Sequence, residues 1–275
     1  MIRASHDRDE LAGLLRRDPH LHAYELGDLD DFYWPYTSWY RLGDAVALVY
    51  HGGGTPVLLA LDHSPGALTE LLTALVPLLP RRFDAHLSPG GEAVLARHFG
   101  VEPRGTHLKM ALTDAGRLDR VAPAGELLGP ADVPELAVLY AAAYPENWFD
   151  QRMIETGQYV GVRRDGELLA VAGVHVWSPK YRVSALGNVT THPRVRGQGL
   201  ATAAVAALCR RLLDTVDQVT LNVKADNVAA IALYRRLGFT PVAEYGEFVV
   251  GRQTPTTPPA APAPAPTTLP PAPAA

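Results

Sequence analysis

Apolar residues in the second half of the chain follow helical and strand spacing in alternation. After Asp132, a good helix N-cap, apolar side chains recur every three or four residues as far as Ala143, and Pro145 ends the predicted helix. Arg164-Asp-Gly166 has the composition of a tight hairpin turn. The other elements predicted in this half are a short helix at 147–156, strands at 159–163, 168–177, 183–191 and 219–223, helices at 199–214 and 227–237, and a last strand or hairpin at 242–250.

The first half predicts a similar order of elements. Strands are expected at 57–61, 82–87 and 106–112, and helices at 66–79 and 91–99. Arg97-His-Phe-Gly-Val-Glu-Pro103 also aligns with Arg235-Arg-Leu-Gly-Phe-Thr-Pro241, at an offset of 138 residues. The shared order and this local match predict two copies of one α/β unit.

Turn-forming residues at 116–125 separate the two copies. We therefore expect domains at 1–118 and 119–252. Residues 253–275 are only Pro, Ala, Thr, one Gln and one Leu, without any charge. Proline fixes φ and removes backbone donors, so this segment is expected to be a disordered, extended tail.

The composition limits the classes of function. Hydrophobic residues make up 47% and charged residues 20% of the chain, as in a soluble globular protein. The net charge of −4 gives no footprint for nucleic acid, and no apolar run is long enough to span a membrane. The single cysteine, Cys209, excludes a disulfide framework and a cysteine-based zinc site, and lies in an apolar helix typical of a core position. A cytoplasmic protein without a secretory signal is expected.

The segment from Asn188 to Thr202 carries the clearest chemistry. A β-branched strand runs into a turn with Arg194, Arg196, Gly197 and Gly199, and an alanine-rich helix follows at once. Free amides and the positive end of the helix dipole attract an anion there. Glycine lets a diphosphate approach those amides, and arginine adds bidentate donors. The alternative is an ordinary surface turn with a glycine before the helix.

A second motif follows the loop after one intervening helix and one strand. Ala232-Leu-Tyr-Arg-Arg-Leu-Gly-Phe239 and Arg194-Val-Arg-Gly-Gln-Gly-Leu-Ala201, at this spacing, resemble the two cofactor motifs of the GNAT superfamily of N-acetyltransferases. The resemblance covers residues 126–250, and the first half matches in element order alone. It implies an α/β fold of two GNAT-like units, each a mixed, mostly antiparallel sheet flanked by helices, with a degenerate N-terminal copy.

The same resemblance implies acetyl-CoA, or another acyl-CoA, as acyl donor and an amine-bearing acceptor, with no metal. Backbone groups of Val189 and Thr191 are expected to pair with the pantetheine arm, and Tyr234 is expected to protonate the departing thiolate as general acid. The residues implied at the cofactor site are Val189, Thr190, Thr191, Arg194, Arg196, Gly197, Gln198, Gly199, Leu200, Ala201, Asn227 and Tyr234.

Two of these residues have structural alternatives. Asn227 is a favoured helix N-cap, so it either caps alone or caps and also contacts the cofactor. Tyr234 lies on an amphipathic helix, where a core aromatic residue is also expected.

The sequence departs from the family in the general base, because residues 168–213 contain no Asp or Glu. Asn188 and Ser184 are the polar residues of the strand on which many members carry this group, and both are poor bases. The other candidates are Glu146, Asp150, Glu155, Glu244, Glu247 and an N-terminal carboxylate acting through water. This absence also keeps open a second class of function, a non-catalytic acyl-CoA sensor.

Two aromatic segments are candidates for the acceptor site. Residues 144–149 (Tyr-Pro-Glu-Asn-Trp-Phe) lie where this fold places its acceptor-covering loop, and their alternative is packing at a helix end. Residues 24–36 combine aromatic rings with Glu25, Asp28, Asp30 and Asp31, which suits a cationic acceptor or, as the alternative, an interdomain contact.

The first half lacks the corresponding chemistry. Asp62 places a negative charge where the diphosphate would bind, Pro65 removes a backbone donor, and Ala96 occupies the position of Tyr234. One acyl-CoA per chain is therefore expected.

Overall fold

Twelve strands form one continuous mixed sheet in the computed structural model, which describes residues 1–145 and 147–251. The strand order is β1-β2-β3-β4-β5-β12-β6-β11-β10-β9-β8-β7. The strands are β1 (Arg3–Ala4), β2 (Thr37–Leu42), β3 (Ala45–Tyr50), β4 (Val57–Ala60), β5 (Arg82–Leu87), β6 (Gly100–Leu112), β7 (Glu126–Leu127), β8 (Val160–Arg164), β9 (Glu167–Ser178), β10 (Val183–Thr191), β11 (Gln218–Lys224) and β12 (Phe239–Gly251).

Helices connect the strands in the same way in both halves. One helix follows each of β4, β5, β10 and β11, so both halves share the order strand, helix, strand, helix, strand. The α-helices are α1 (Arg8–Leu15), α2 (Ala23–Asp28), α3 (Pro65–Leu75), α4 (Gly91–Leu95), α5 (Val133–Ala143), α6 (Leu200–Leu213) and α7 (Val228–Arg236). Short 3-10 turns lie at Trp34–Tyr36, Val76–Leu78, Ala115–Arg120, Pro130–Asp132, Gln151–Thr156 and Pro193–Val195.

The two halves exchange their last strands. β6, from the first half, pairs with β11 of the second half, and β12, from the second half, pairs with β5 of the first. β6 and β12 pair with each other along almost their whole length. The strand order is therefore nearly symmetric about the β6–β12 pair, and residues from both halves meet at the centre of the sheet.

A large core surrounds α6. Its buried side chains recur on one face and pack with α5, α7 and the strands β8–β11. Cys209 belongs to this core, where burial raises the pKa of its thiol above the usual range. A second core lies under α3 and α4, and a third under α1 and α2.

Helix α2 of the first half lies directly on β9 of the second half. A Cβ at Gly27 would come within 2.8 Å of Val176 Cβ, so this close approach depends on glycine. The approach brings Tyr24 of α2 beside the second half, where its ring contacts that of His175 at a centroid distance of 6.1 Å.

Most elements predicted from the sequence are present. The strand at 183–191 has the predicted bounds, and Asp165 and Gly166 have positive φ, as expected in a tight hairpin. The segment predicted as a helix at 147–156 instead contains a 3-10 turn over Gln151–Thr156, and β12 is one long strand beginning at Phe239. Among the described residues, no helix is both long and apolar enough to cross a bilayer. The proposed tail at 253–275 lies outside the described residues.

Candidate functional site

The parallel strands β10 and β11 separate partway along their length. They pair from Val183–Gln218 to Leu186–Leu221, and then diverge. In β10 the residues beyond the last pair remain bonded to β9 alone, with Thr190 opposite Val171 and Thr191 opposite Ala170. The backbone of 187–191 therefore has one edge open to an extended ligand.

Two bulges bend the sheet where this opening begins. Ala185 pairs with Val176 and Leu186 with Val174, so β9 has one extra, unpaired residue between these two pairs. At the second bulge, between Gly187 and Thr190, the extra residue is in β10. Asn188 at this second bulge has φ 55°, in the left-handed region that asparagine tolerates.

Asn188 is buried and holds the bend. Its Nδ2 donates to Tyr159 Oη at 3.1 Å and contacts Met153 Sδ at 3.4 Å, and its carbonyl accepts from Tyr140 Oη at 3.2 Å. Ser184 donates to the Val176 carbonyl at 2.9 Å. The hydrogen bonds of both residues thus belong to the fold, which explains their presence without a role as base.

The predicted anion loop leads from β10 into α6. Gly197 and Gly199 have φ of 77° and 82°, and Gly199 is the N-cap of α6 without any side chain to bond its first amides. The first turn of α6 has no acidic residue. A Cβ at either glycine would meet nothing within 4 Å, so the backbone conformation and the access to the amides require glycine.

The arginines of the loop are tied to neighbouring elements. Arg196 donates to the carbonyls of Thr191 at 3.3 Å and Ala143 at 3.2 Å, while Arg194 forms an ion pair with Glu167. Arg164 donates to Gln198 Oε1 at 2.5 Å. Among the described residues, Arg196 therefore has no carboxylate partner, whereas the charge of Glu167 offsets part of that of Arg194.

The remaining predicted cofactor residues lie at the end of β10, in the loop that follows it and at the start of α6. Thr191 Oγ1 is buried and has no hydrogen-bond partner among the described residues. Such an orphaned hydroxyl next to an open strand edge fits a site that a polar ligand completes. Val189 is half-buried, Thr190 and Leu200 are buried, Ala201 is half-buried, and Gln198 is exposed.

Asn227 and Tyr234 occupy the two ends of α7. Asn227 Oδ1 accepts from the Ala230 amide at 3.1 Å, so the capping role is observed. The Tyr234 side chain is buried in the α6 core and its ring meets that of Phe239 edge to face at 5.8 Å. Burial and the nearby Cys209 thiol raise the pKa of the Tyr234 phenol above its ordinary value, so the phenol keeps its proton at neutral pH.

A cavity of about 690 Å³ lies between the two halves and reaches the opening of the strands at Asn188 and Asn222. Both predicted aromatic segments contribute to its wall. The aromatic residues lining it are Tyr24, Phe32, Tyr33, Tyr50, Tyr144, Trp148, Tyr245 and Phe248. Its charged or titratable residues are Asp28, Asp84, Asp150, Glu247, Arg104, Arg152, Lys224, His86, His107 and His175.

Glu247 is held in this cavity by residues of three strands. Its Oε1 accepts from Tyr245 Oη at 3.1 Å and lies 3.5 Å from His86 Nε2 and 3.4 Å from His107 Nε2. Burial, helped by the charge of Lys109, lowers the pKa of His86 to about 4, and burial also lowers that of His107. Both imidazoles are therefore neutral at neutral pH.

Buried charged groups lie in the cavity wall and next to it. The ammonium of Lys109 lies over the Tyr24 ring, 4.7 Å from its centroid. Burial lowers the pKa of Lys109 and, with the charge of Glu25, raises that of Asp28. Burial also acts to raise the pKa of Glu25, but a hydrogen bond with His22 and the charge of Lys109 outweigh it and leave that pKa below its ordinary value.

The candidate bases are distributed unevenly. Asp150 and Glu247 line the cavity, as do the N-terminal carboxylates Asp28 and Asp84. Glu155 and Glu244 are exposed elsewhere, and Glu146 lies outside the described residues. The three cavity histidines were not predicted. Sequence alone gives no signal for them, because the strands that carry them come together only in the folded sheet.

The corresponding place in the first half is closed. β4 stays paired with β5 to its last residue, and the first amides of α3 meet the side chain of Ser64, whose Oγ accepts from Ala67 N. Asp62 Oδ1 in turn accepts from Ser64 N at 2.7 Å. The features that open the second half to a ligand therefore have no counterpart at this point.

Comparison with known proteins agrees with this geometry. Residues 130–239 match the family model described as the acetyltransferase (GNAT) family. The mycothiol acetyltransferases of Paenarthrobacter aurescens and Beutenbergia cavernae are 37% and 32% identical over 98 and 108 residues, or 34% and 38% of this chain. The match spans about a third of those relatives, 29% and 33% of their length.

Solved structures share the fold along most of the chain. A Drosophila protein superposes with a TM-score of 0.68 at 16% identity, covering 90% of this chain and 97% of that one. A GCN5-related N-acetyltransferase from Kribbella flavida gives 0.56 at 18% identity, covering 83% and 95%. A tandem GNAT protein from the clavulanic acid biosynthesis pathway gives 0.53 at 18% identity, covering 93% and 99%. In residues 130–239, which carry the open strand pair and the uncapped helix, the chain thus matches the acetyltransferase (GNAT) family.

Proposed function

We propose that this protein transfers an acetyl group from acetyl-CoA directly to a primary amine of an acceptor bound between its two halves. One observation carries the proposal: the 690 Å³ cavity meets the separated strands β10 and β11 where their pairing ends. A thioester in the opening would therefore face an acceptor in the cavity.

Acetyl-CoA would lie along the second half. Its pantetheine arm would pair with the backbone of Val189 and Thr191, and its pyrophosphate would bind the amides at the start of α6. The uncapped Gly199 and the orphaned Thr191 hydroxyl support this placement. The proposed contacts are Val189, Thr190, Thr191, Arg194, Arg196, Gly197, Gln198, Gly199, Leu200, Ala201 and Asn227.

Transfer would need no covalent enzyme intermediate. The amine nitrogen attacks the thioester carbon, the C–N bond forms, the C–S bond breaks, and the amine loses one proton while the thiolate gains one. Tyr234 would supply the proton to sulfur, because its buried phenol is neutral.

The cavity suits a cationic amine with an apolar part. Carboxylates attract the ammonium form, and aromatic walls stabilise both the cation and the apolar portion. Asp150 and Glu247 are the candidate carboxylates for removing a proton, directly or through water.

We further propose that the first domain, residues 1–118, binds no acyl-CoA. The paired β4–β5 strands and the Ser64 cap support this assignment. In this account the first domain covers the cavity and helps select the acceptor, while the domain at 119–252 binds the donor.

Thiol release tests the proposal. Acetyl-CoA is incubated with the protein and a panel of aromatic ethylamines, α-amino acids, amino sugars and polyamines, and product mass is measured with acetyl-CoA binding in parallel. We expect amine-dependent thiol release with an acetylated amine as product. Tight binding without turnover across the panel would instead support an acyl-CoA sensor.

A further inference from the structure

His175 lies at the point where the strands open. It is the left-over residue of the β9 bulge, between Val174, which pairs with Leu186, and Val176, which pairs with Ala185. Its ring covers Gly187, the first residue of β10 beyond the last pair with β11. A Cβ at Gly187 would lie 2.1 Å from His175 Cδ2 and 2.4 Å from Nε2, so glycine makes room for the ring.

The ring is fixed by its neighbours in the cavity. Tyr24 from α2 and Trp148 from the segment after α5 contact it, at centroid distances of 6.1 and 6.0 Å. Gly27, one turn along α2, sets the close approach that brings Tyr24 there. His175 therefore joins both halves of the molecule at the open strand edge.

The two ring nitrogens have different surroundings. Nδ1 is buried and has no hydrogen-bond partner among the described residues. A buried N–H without an acceptor is rarer and more costly than a buried lone pair, so the proton belongs on Nε2. Nε2 lies on the Gly187 side of the ring.

The imidazole is neutral under ordinary conditions. Burial, with a smaller contribution from His86 on β5, lowers the pKa of His175 to about 4. The titratable neighbour from α2 is Tyr24, whose own pKa burial raises, so it carries no charge at neutral pH. A neutral imidazole can donate one hydrogen bond while keeping its proton.

We propose that His175 donates its Nε2–H to the thioester oxygen that becomes negative when the amine attacks. This inference rests on the proposed function. As the C–N bond forms, the carbonyl electron pair moves to oxygen, where the donor stabilises it; when the C–S bond breaks, the pair returns. His175 transfers no proton, and a fixed donor of this kind stabilises the transition state more than the ground state.

The other polar residues at the opening are less suited to this task. The side-chain amide of Asn188 already donates to Tyr159 Oη and contacts Met153 Sδ. Glu247 lies on β12 and His86 on β5, and β12 is separated from β11 by β6, about 10 Å at the usual strand spacing. His107 on β6 is directed to Glu247, with its Nε2 3.4 Å from Glu247 Oε1. His175 alone among the cavity histidines lies on the β9–β10 side of the opening.

The test compares kcat for His175→Ala and His175→Gln with the best amine of the panel. Loss of the donor should lower kcat of His175→Ala by about 10²–10³, as for other fixed donors to a developing oxyanion. Acetyl-CoA affinity and the acceptor KM should stay within threefold of wild type. His175→Gln, which keeps a neutral N–H donor, should be at least tenfold faster than His175→Ala. His63→Gln, at an exposed residue that does not line the cavity, is the matched control and should behave as wild type.

A second variant keeps the imidazole but moves it. Gly187→Ala places a methyl group where the ring lies, so kcat should fall at least tenfold with the histidine still present. This variant decides the question if His175→Ala does not fold.

Failure of the His175 proposal can be distinguished from failure of the proposed function. Equal loss in His175→Gln and His175→Ala would show that a neutral N–H donor at this position does not support catalysis and would overturn the proposal. Wild-type kcat in His175→Ala or Gly187→Ala would overturn it as well. A wild-type protein that binds acetyl-CoA but acetylates no amine would instead refute the proposed function itself.

Discussion

Replacing Gly199 by valine should lower two quantities, the free energy of unfolding and the affinity for acetyl-CoA, for two different physical reasons. Gly199 has φ 82°, and a Cβ there meets nothing within 4 Å, so the packing of the protein itself does not resist the substitution. The left-handed conformation should cost about 1–3 kcal/mol of unfolding free energy. The side chain would also stand before the first amides of α6, where loss of one charge-assisted hydrogen bond costs about 1.5–3 kcal/mol. Acetyl-CoA affinity should then fall roughly 10- to 150-fold.

Gly90 provides the matched control. It is also a helix N-cap with positive φ, 94°, and nothing within 4 Å of its Cβ, but it begins α4 in the first half. Gly90→Val should therefore lose similar unfolding free energy and keep its acetyl-CoA affinity. Urea unfolding and titration calorimetry at a temperature where both variants are folded provide the two measurements. Equal affinities for acetyl-CoA in the two variants would refute the phosphate assignment.

The remaining predictions concern the acid, the histidines and the tail. Tyr234→Phe should lower kcat by about 10²–10⁴ with near-normal acetyl-CoA affinity, and wild-type turnover would make Tyr234 a core residue only. His86 and His175 have pKa values of about 4 in the folded state against 6.5 when unfolded, so the unfolded chain binds more protons between these values. Unfolding free energy should therefore fall as pH decreases from about 6.5 to 4, by about 3 kcal/mol for each histidine, and each substitution by Gln should reduce that slope in urea titrations. Truncation after Arg252 should leave melting temperature and acetyl-CoA affinity unchanged, and a drop of several degrees would show that the tail docks.

Local sequence was sufficient for the turn between β10 and α6 and for its two flanking elements. Gly197 and Gly199 lie in the predicted turn, where both have positive φ, and Asn227 caps the helix that it was expected to begin. These features depend on residues close together in the chain, where turn and capping preferences act directly.

Long-range pairing was beyond the sequence pattern. The similar order of elements in the two halves was visible in the sequence, as was the match of Gly100 with Gly238, but the exchange of β6 and β12 was not. Strand propensity specifies a strand and leaves its partner open. The Glu247 group depends on this exchange, because it joins β12 with β5 and β6.

His175 shows the same limit at a single residue. In the sequence it is a lone polar residue in an apolar strand, typical of a core histidine. Its position over Gly187 results from a bulge, and its contact with Tyr24 results from the packing of α2 on β9. Neither can be read from residue spacing within one strand.

Acetyl-CoA titration calorimetry tests most directly the central claim that one donor site is formed by the open strands and the loop of the second half. Wild-type protein should bind one acetyl-CoA per chain, because the first half has a capped α3 and closed parallel strands. The double variant Arg196→Ala, Gly199→Val should lose all measurable binding while remaining folded. Two sites per chain, or tight binding that persists in the double variant, would contradict the account.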